Sequence, residues 1–191
     1  MMRRTRRLES GPVVALCGGI GGAKLALGLY RVLERGRLTV LANTGDDFEH
    51  LGLHISPDID TIIYTLSRLS DPEHAWGRAD ESWNFMAALS ELGGETWFKL
   101  GDRDLAVHVE RTRRLRTGQR LTAITADIAR SLGIGARILP MSDDPVRTGV
   151  QAGNDTHAFQ DYWQLAFIRT INSPEAHSTS HQKPAAKRRL E

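Results

Sequence analysis

The sequence has a single cysteine, Cys17. No disulfide can therefore form within the chain, and a zinc site built on several thiolates is excluded. The histidines show no repeated ligand spacing either. Long apolar runs are also lacking: nothing approaches the ~20 apolar residues of a membrane span, and the basic N-terminal segment has no apolar core of a signal peptide. We therefore expect a cytoplasmic protein without a membrane partner.

A positively charged folded surface is also lacking, although the formal net charge is +2. Eight of the 25 basic residues lie near the two ends, which leaves 17 basic against 21 acidic residues between them. The eight are Arg3, Arg4, Arg6, Arg7, Lys183, Lys187, Arg188 and Arg189. Nucleic-acid binding requires basic residues clustered on a folded face, so we expect no nucleic-acid partner.

What the sequence does contain is a strand–helix–strand pattern. Val13 to Cys17 form an apolar run typical of a buried parallel strand, a helix is predicted from Gly22 to Arg35, and residues 37–42 form a second strand. Residues 43–61 read as a polar loop. Further helices are predicted at 60–69, 81–92, 103–115 and 121–132, and further strands at 136–140 and 156–168. The pattern predicts an α/β fold with a Rossmann-like, three-layer parallel sheet, helices on both faces and a helical insertion.

The first strand leads into a glycine-rich turn, "GGIGGAK" at residues 18–24. It lacks the third glycine of the dinucleotide-binding fingerprint, because Lys24 stands there. It also lacks the serine or threonine that follows the lysine of a P-loop, because Leu25 stands there. Glycines at such a turn can serve tight packing alone. Their number and their place before a helix favour a phosphate site built from backbone amides.

Pairs of carboxylates recur beside the predicted loops. Asp46 and Asp47 directly follow the second strand, whose carboxyl end should lie next to the glycine turn. Crowded carboxylates repel one another, and a divalent cation relieves that repulsion. Mg²⁺ suits such a site, since it takes one or two carboxylates and completes its shell with water and phosphate oxygens. The sequence thus predicts Mg²⁺ beside a phosphate group.

Six segments together resemble the 2-phospho-L-lactate transferases (CofD/FbiA-like) of coenzyme F-420 biosynthesis. They are "GGIGGAK", "NTGDD", "SPDIDTIIYTLS", "WFKLGDRDLAVH", "ILPMSDDPVRT" and "FQDYW", in the family's order and spacing. The resemblance implies transfer of a lactyl-phosphate or enolpyruvyl-phosphate group from a guanosine diphosphate ester. The acceptor would be the deazaflavin Fo, the leaving group GMP and the required metal Mg²⁺.

The resemblance also implies roles for particular residues. Asp60 would bind Fo and orient its hydroxyl or accept the proton, and Lys99 would be a second contact to Fo. Asp46 and Asp47 would be the metal-side carboxylates. Four glycines and an asparagine would lie near the nucleotide phosphates: Gly18, Gly19, Gly21, Gly22 and Asn43. An alternative reading makes Asp60 the N-cap of a helix that begins near Thr61.

The resemblance ends near Trp163, and the family's later segments do not follow it. We therefore expect a disordered basic arm at 1–11, a partial, C-terminally truncated transferase domain at 12–168, and a disordered tail outside the family at 169–191. Strands that lose neighbours would expose an edge, which a homodimer would shelter. Two alternatives stay open: a YvcK-like regulator that binds nucleotide sugars, and an inactive fragment.

Overall fold

The computed structural model describes residues 11–71, 77–152, 155–159, 162 and 188–189. In chain order the elements are β1 (Val13–Cys17), α1 (Gly19–Val32), β2 (Leu38–Ala42), β3 (Phe48–His50), β4 (Leu53–Ile55), α2 (Pro57–Ser67), α3 (Asn84–Glu91), α4 (Asp102–Arg116), α5 (Leu121–Ser131), β5 (Arg137–Pro140), β6 (Gly149–Ala152), β7 (Asp155–Ala158) and β8 (Arg188–Arg189).

A parallel sheet in the order β1-β2-β5 forms the centre of the fold. Cys17 of β1 lies opposite Ala42 of β2, and Ala42 lies opposite Pro140 of β5, so the three strands end at one edge. Helix α1 connects β1 with β2, and the described residues between β2 and β5 form a hairpin and four helices. This arrangement confirms the predicted α/β, Rossmann-like fold class, although among the described residues the helices cover one face of the sheet where two were expected.

One face of the sheet is packed under helices. Alternate strand residues such as Ala15, Cys17 and Val40 are buried against α1, α2 and α5. The intervening residues of β1 point the other way, and there Val14 is 62% and Leu16 74% exposed. Within the described part of the chain, no helix has the length and apolar character needed to cross a bilayer.

The prediction of a loop at residues 43–61 is wrong. The segment contains the antiparallel hairpin β3–β4, in which Phe48 lies opposite Ile55. The hairpin turn is made by Leu51 and Gly52, which have φ of 52° and 69°. A two-residue turn with both φ positive matches the twist of a hairpin, but its usual sequence signal is Asn-Gly. Because leucine occupies the first turn position, the sequence lacks this signal and the hairpin was not predicted.

The predicted helices all form, with shifted ends. Helix α1 begins at Gly19 instead of Gly22, and α2 begins at Pro57, so its first turn contains residues that were predicted as loop. Proline is favoured at the first helical position because its fixed φ suits the helix and its missing N–H is not needed there. The start of α2 decides where the acidic residues of "SPDIDT" point.

Beyond β5 the structure has a small antiparallel sheet in the order β7-β6-β8. Strand β6 was not predicted, and the strand predicted at 156–168 begins at Asp155 and ends at Ala158. Arg188 and Arg189 pair with β6, where the sequence had predicted disorder. Residues 1–10 of the predicted basic arm at 1–11 and the rest of the tail lie outside the described residues.

Candidate active site

The glycine turn lies where β1 enters α1. Gly19 has φ +53°, a conformation that other residues rarely adopt, and its N–H donates to Asp58 Oδ1 at 2.7 Å. A Cβ on Gly22 would lie 2.9 Å from Cys17 Cα, so Gly22 lets the helix pack closely on β1. A Cβ on Gly21 would meet nothing within 4 Å. The glycines therefore divide between packing and the formation of the turn.

Asp58, to which the sequence patterns assigned no role, connects three segments of this site. One carboxylate oxygen accepts from Gly19, and the other accepts from Asn43 Nδ2 at 2.7 Å. Asn43 in turn accepts from Gly45 N–H through its Oδ1 at 3.0 Å. The side chain of Asp58 belongs to the first turn of α2, so its position depends on the helix starting at Pro57. Pro57, which favours this helix start, was therefore the sequence signal that could have indicated the role of Asp58.

These residues border an open cavity of about 630 Å³ at the carboxyl ends of β1 and β2. The lining residues are Leu16, Cys17, Gly18, Gly19, Leu41, Asn43, Asp46, Asp58 and Met141. The structure thus brings together Gly18, Gly19, Asn43 and Asp46 of the predicted site. Gly21 and Gly22 are not among the lining residues. Ligands of open α/β sheets bind at this edge, beyond the strand ends.

The two adjacent aspartates do not face the same cavity. Asp46 lines the cavity of about 630 Å³, whereas Asp47 lines a separate one of about 240 Å³. Asp47 Oδ2 accepts from Ser56 Oγ at 2.9 Å and lies 3.1 Å from His54 Nε2. Burial raises the pKa of Asp47, although the hydrogen bonds from His54 and Ser56 oppose that effect. The predicted metal pair is therefore divided between two cavities.

The residues present still fit a magnesium ion, with a different second carboxylate. Asp46 and Asp58 line the same cavity as the glycine turn, and Mg²⁺ is commonly held by one or two carboxylates together with phosphate oxygens. No group of three or more acidic, histidine or cysteine side chains suited to a metal occurs among the residues the structure describes. A site that relies on the ligand's phosphate oxygens fits this arrangement better than a cage of protein ligands.

Asp60 is placed on the other side of α2, against α4. Both of its oxygens accept from the guanidinium of Arg111, with Nη1 3.0 Å from Oδ2. Arg111 is fully buried. Burial lowers the pKa of Arg111, but the charge and hydrogen bonds of Asp60, together with the charges of Tyr64 and Asp47, outweigh it and the net shift is upward. Helix α2 starts before Asp60 and its N-cap residue is Ser56, so the interpretation of Asp60 as an N-cap is wrong.

A second carboxylate joins this buried cluster. His108 Nε2 lies 3.1 Å from Asp104 Oδ2, and its Nδ1 lies 3.7 Å from Asp60. Tyr64 donates its hydroxyl to Asp104 Oδ1 at 2.5 Å. Burial raises the pKa of Asp104, but the hydrogen bond and charge of His108, together with Tyr64, outweigh it and the net shift is downward. The cluster fastens α2 to α4.

Lys99, the other predicted contact to Fo, lies in the segment before α4 and is exposed. Among the described residues no hydrogen bond or ion pair joins it to Asp60. The structure therefore brings three of the five predicted phosphate residues, Gly18, Gly19 and Asn43, to one cavity, whereas the two predicted acceptor residues do not contact each other. Asp60 and Lys99 stay predictions as contacts to Fo.

The fold and the cavity define an α/β protein with a glycine turn and two carboxylates at the carboxyl edge of a parallel sheet. Comparison with known families then gives the particular one. The family of 2-phospho-L-lactate transferase CofD matches residues 13–188, and the chain belongs to this family. The match extends past Trp163, where we had expected the resemblance to end.

Curated relatives agree with this membership. The chain is 44% identical over 157 residues to a phosphoenolpyruvate transferase of Kitasatospora aureofaciens, a match that covers 79% of this chain and 49% of the relative. It is 42% identical over 151 residues to a 2-phospho-L-lactate transferase of Methanosarcina acetivorans, with the same coverage. The chain thus spans about half the length of these relatives.

Proposed function

We propose that the chain carries the nucleotide-phosphate half of a transferase that acts in coenzyme F-420 biosynthesis. The reaction would move a lactyl-phosphate or enolpyruvyl-phosphate group from a guanosine diphosphate ester to Fo and release GMP. Membership of the CofD family supports the reaction class, and the names of the relatives support both donors. The observation that carries the proposal is the convergence of Gly19, Asn43, Asp46 and Asp58 on one cavity.

In this reaction the terminal hydroxyl oxygen of Fo forms a bond to the phosphorus that bears the three-carbon acid. The bond from that phosphorus to the bridging oxygen breaks, GMP departs with the oxygen, and the proton of the attacking hydroxyl passes to water. Charge spreads over the phosphate oxygens in such a transfer, so positioning and electrostatic stabilisation account for most of the catalysis. Mg²⁺, when bound, supplies positive charge at these oxygens.

The chain's own residues would hold the diphosphate in place. Asp46 and Asp58 would hold the metal, and the N-terminal amides of α1 would lie beside the phosphate, since a helix N-terminus is a favourable place for an anion. Asp58 already accepts from Gly19 and Asn43, so it holds the glycine turn and the 43–47 segment in register. Asp60 accepts hydrogen bonds from Arg111, so it would contact Fo only after leaving that partner.

The match to a transferase family favours this function over a YvcK-like regulator, which would bind a nucleotide sugar. Three binding experiments separate them on the folded chain with Mg²⁺: calorimetry with GDP, calorimetry with a UDP-sugar, and titration of Fo fluorescence. We expect GDP and Fo to bind and the nucleotide sugar not to bind. A folded chain that binds the nucleotide sugar but neither GDP nor Fo contradicts the proposal.

Activity is tested with Fo and Mg²⁺ together with each donor ester in turn. We expect mass spectrometry to detect the phosphodiester of Fo in step with released GMP, and the comparison of the two esters identifies the donor. GMP that appears without the Fo product would be hydrolysis and would count against the transfer.

A further inference from the structure

The cavity of about 240 Å³ that Asp47 lines, the Asp47 cavity, takes no part in the proposed function. Thr44 lines the same cavity, and the two residues are the ends of one turn. In that turn the Asp47 N–H donates to the Thr44 carbonyl at 3.1 Å. Asp46, which lies between them, lines the cavity of the candidate active site instead. One turn therefore presents side chains to two separate cavities.

Two buried oxygens that line the Asp47 cavity have no hydrogen-bond partner among the described residues. They are Asp47 Oδ1 and Thr44 Oγ1. Asp47 is 8% exposed and Thr44 is 2% exposed. Buried carboxylate and hydroxyl oxygens are normally hydrogen-bonded, because leaving such a group unpaired costs free energy. A ligand that donates hydrogen bonds inside the cavity would satisfy both oxygens.

The carboxylate of Asp47 is already held in position by its other oxygen. Oδ2 accepts from Ser56 Oγ at 2.9 Å and lies 3.1 Å from His54 Nε2. His54 belongs to β4, and Ser56 is the N-cap residue of α2, so two structural elements position this side chain. Binding at Oδ1 would therefore require little ordering of the carboxylate, which favours affinity.

Apolar side chains form much of the remaining wall of the cavity. Leu115 at the end of α4 and Leu121 at the start of α5 line it, as do Pro145 and Val146. Drug-sized ligands occupy cavities of about 300–1,000 Å³, so the Asp47 cavity suits a smaller molecule with an apolar body. It is too small for a whole nucleotide.

The charged residues of the lining favour a positively charged ligand. Asp143 and Asp144 are exposed and lie toward the solvent, whereas Asp47 is buried. These three carboxylates compare with one guanidinium in the described lining, that of Arg147. An excess of negative charge in a cleft attracts cations. A primary ammonium group combines positive charge with three hydrogen-bond donors and no acceptor, which is the chemistry that the two unpartnered oxygens require.

We propose that the Asp47 cavity binds a small primary amine in its ammonium form. The ammonium group would donate to Asp47 Oδ1 and Thr44 Oγ1, and its carbon chain would pack against Leu115 and Leu121. A hydrogen bond between two charged groups is stronger than one to a neutral hydroxyl, so the carboxylate would contribute more to binding. The inference goes beyond the proposed function and does not depend on it, because the site lies outside the cavity assigned to the diphosphate.

The proposal is tested by calorimetric titration of the folded, full chain with n-propylammonium chloride, without Mg²⁺, donor or Fo. Tetramethylammonium chloride is the matched probe, because it has the same charge but no N–H donor. We expect saturable binding of propylammonium that is at least ~10-fold tighter than that of tetramethylammonium. Equal binding of the two cations would overturn the proposal. An absence of saturable propylammonium binding would also overturn it, since water would then satisfy the two oxygens.

Variants locate the binding in the cavity. Asp47→Asn should weaken propylammonium binding by at least ~10-fold. Thr44→Val removes an unpartnered hydroxyl, so it should weaken binding by about 3–10-fold while leaving the thermal midpoint unchanged or raised. Thr125→Val is the control, because the Thr125 hydroxyl is also buried and unpartnered among the described residues but does not line the cavity. Its affinity should equal that of wild type.

If Asp47→Asn does not fold, the comparison of Thr44→Val with Thr125→Val decides the outcome. Binding that is equal in these two variants would overturn the proposal. The result is also separable from the proposed function. A chain that binds GDP with Mg²⁺ but not propylammonium refutes the amine site alone, whereas a chain that binds propylammonium but neither GDP nor Fo refutes the proposed function alone.

Discussion

Asp58 and Asp60 lie two residues apart on the first turn of α2, but Asp58 lines an open cavity and Asp60 lies in a buried ion pair. At 3.6 residues per turn their side chains are separated by about 200° around the helix. Asp58 faces the glycine turn, where its oxygens accept from Gly19 and Asn43 at the edge of an open cavity. Asp60 faces α4, where Arg111 holds it in a buried ion pair.

The difference shows that one short motif performs two tasks. The Asp60 side fastens α2 to α4 with groups that are costly to bury and must therefore be paired. The Asp58 side keeps a carboxylate beside the cavity and holds two loops at the strand ends. We expect substitutions on the Asp60 side to affect folding and those on the Asp58 side to affect binding.

The largest effect is expected when the buried pair is broken. Arg111→Gln leaves the carboxylate of Asp60 without its counter-charge, which should lower the free energy of unfolding by about 3–5 kcal/mol. Urea denaturation followed by circular dichroism measures it. Arg113→Gln on the same helix is the control, because the pair of Arg113 with Glu110 is exposed. Equal losses of unfolding free energy in Arg111→Gln and Arg113→Gln would mean that the ion pair of Asp60 contributes no more to stability than an exposed pair.

A smaller effect is expected at the glycine turn. The added Cβ in Gly22→Ala meets the backbone of Cys17, so α1 must move off β1 at a cost of about 1–3 kcal/mol. Gly21→Ala places its Cβ in open space and should leave the thermal midpoint unchanged or raise it. If the two alanine variants lose the same stability, the division of these glycines between packing and turn formation is wrong.

The smallest effect is a dependence on pH at the Asp60 side. The pKa of Asp104 is lower in the folded protein than its unfolded value of about 3.9. Its ionised form therefore stabilises the fold above that value, and the contribution disappears as the pH falls through the folded pKa. Asp104→Asn should be less stable than wild type by about 1 kcal/mol at pH 6.

Denaturation curves from pH 6 to pH 2 test this prediction. The difference in the free energy of unfolding between Asp104→Asn and wild type should decrease toward zero in acid. The control is Asp155→Asn, a substitution at an exposed position of β7. Its stability difference from wild type over the same range measures the general effect of removing one exposed carboxylate. If the difference in the free energy of unfolding persists below pH 3, the ionised form of Asp104 is not what stabilises the fold.

Much of the fold followed from local patterns. The apolar runs of β1 and β2 and the periodicity of α4 and α5 predicted these elements to within a few residues, because burial of one face dictates such patterns. The β3–β4 hairpin did not follow, since its strands have three residues each and its turn has leucine in place of asparagine. The exposure of one face of the sheet could not be predicted either, because Val14 and Leu16 belong to an apolar run that is typical of a buried strand.

The site was partly predictable for the same reason. Asn43 and Asp46 follow a strand end directly, so the topology alone brings them to the glycine turn. Asp58 contacts Gly19 across 39 positions in the chain, and which of the acids in "PDID" faces the turn depends on where α2 begins. The sequence favoured Asp60 through resemblance, whereas the proline signal at residue 57 pointed to the earlier start.

The central claim is that the cavity beside Asp58 is the site for the nucleotide's phosphates and their metal. The most direct test is calorimetric titration of GDP, with and without Mg²⁺, into wild type, Asp58→Asn and Asp47→Asn. We predict that Asp58→Asn weakens the Mg²⁺-dependent binding by about 10–100-fold while Asp47→Asn stays close to wild type. The claim is contradicted if Asp47→Asn loses this binding and Asp58→Asn retains it.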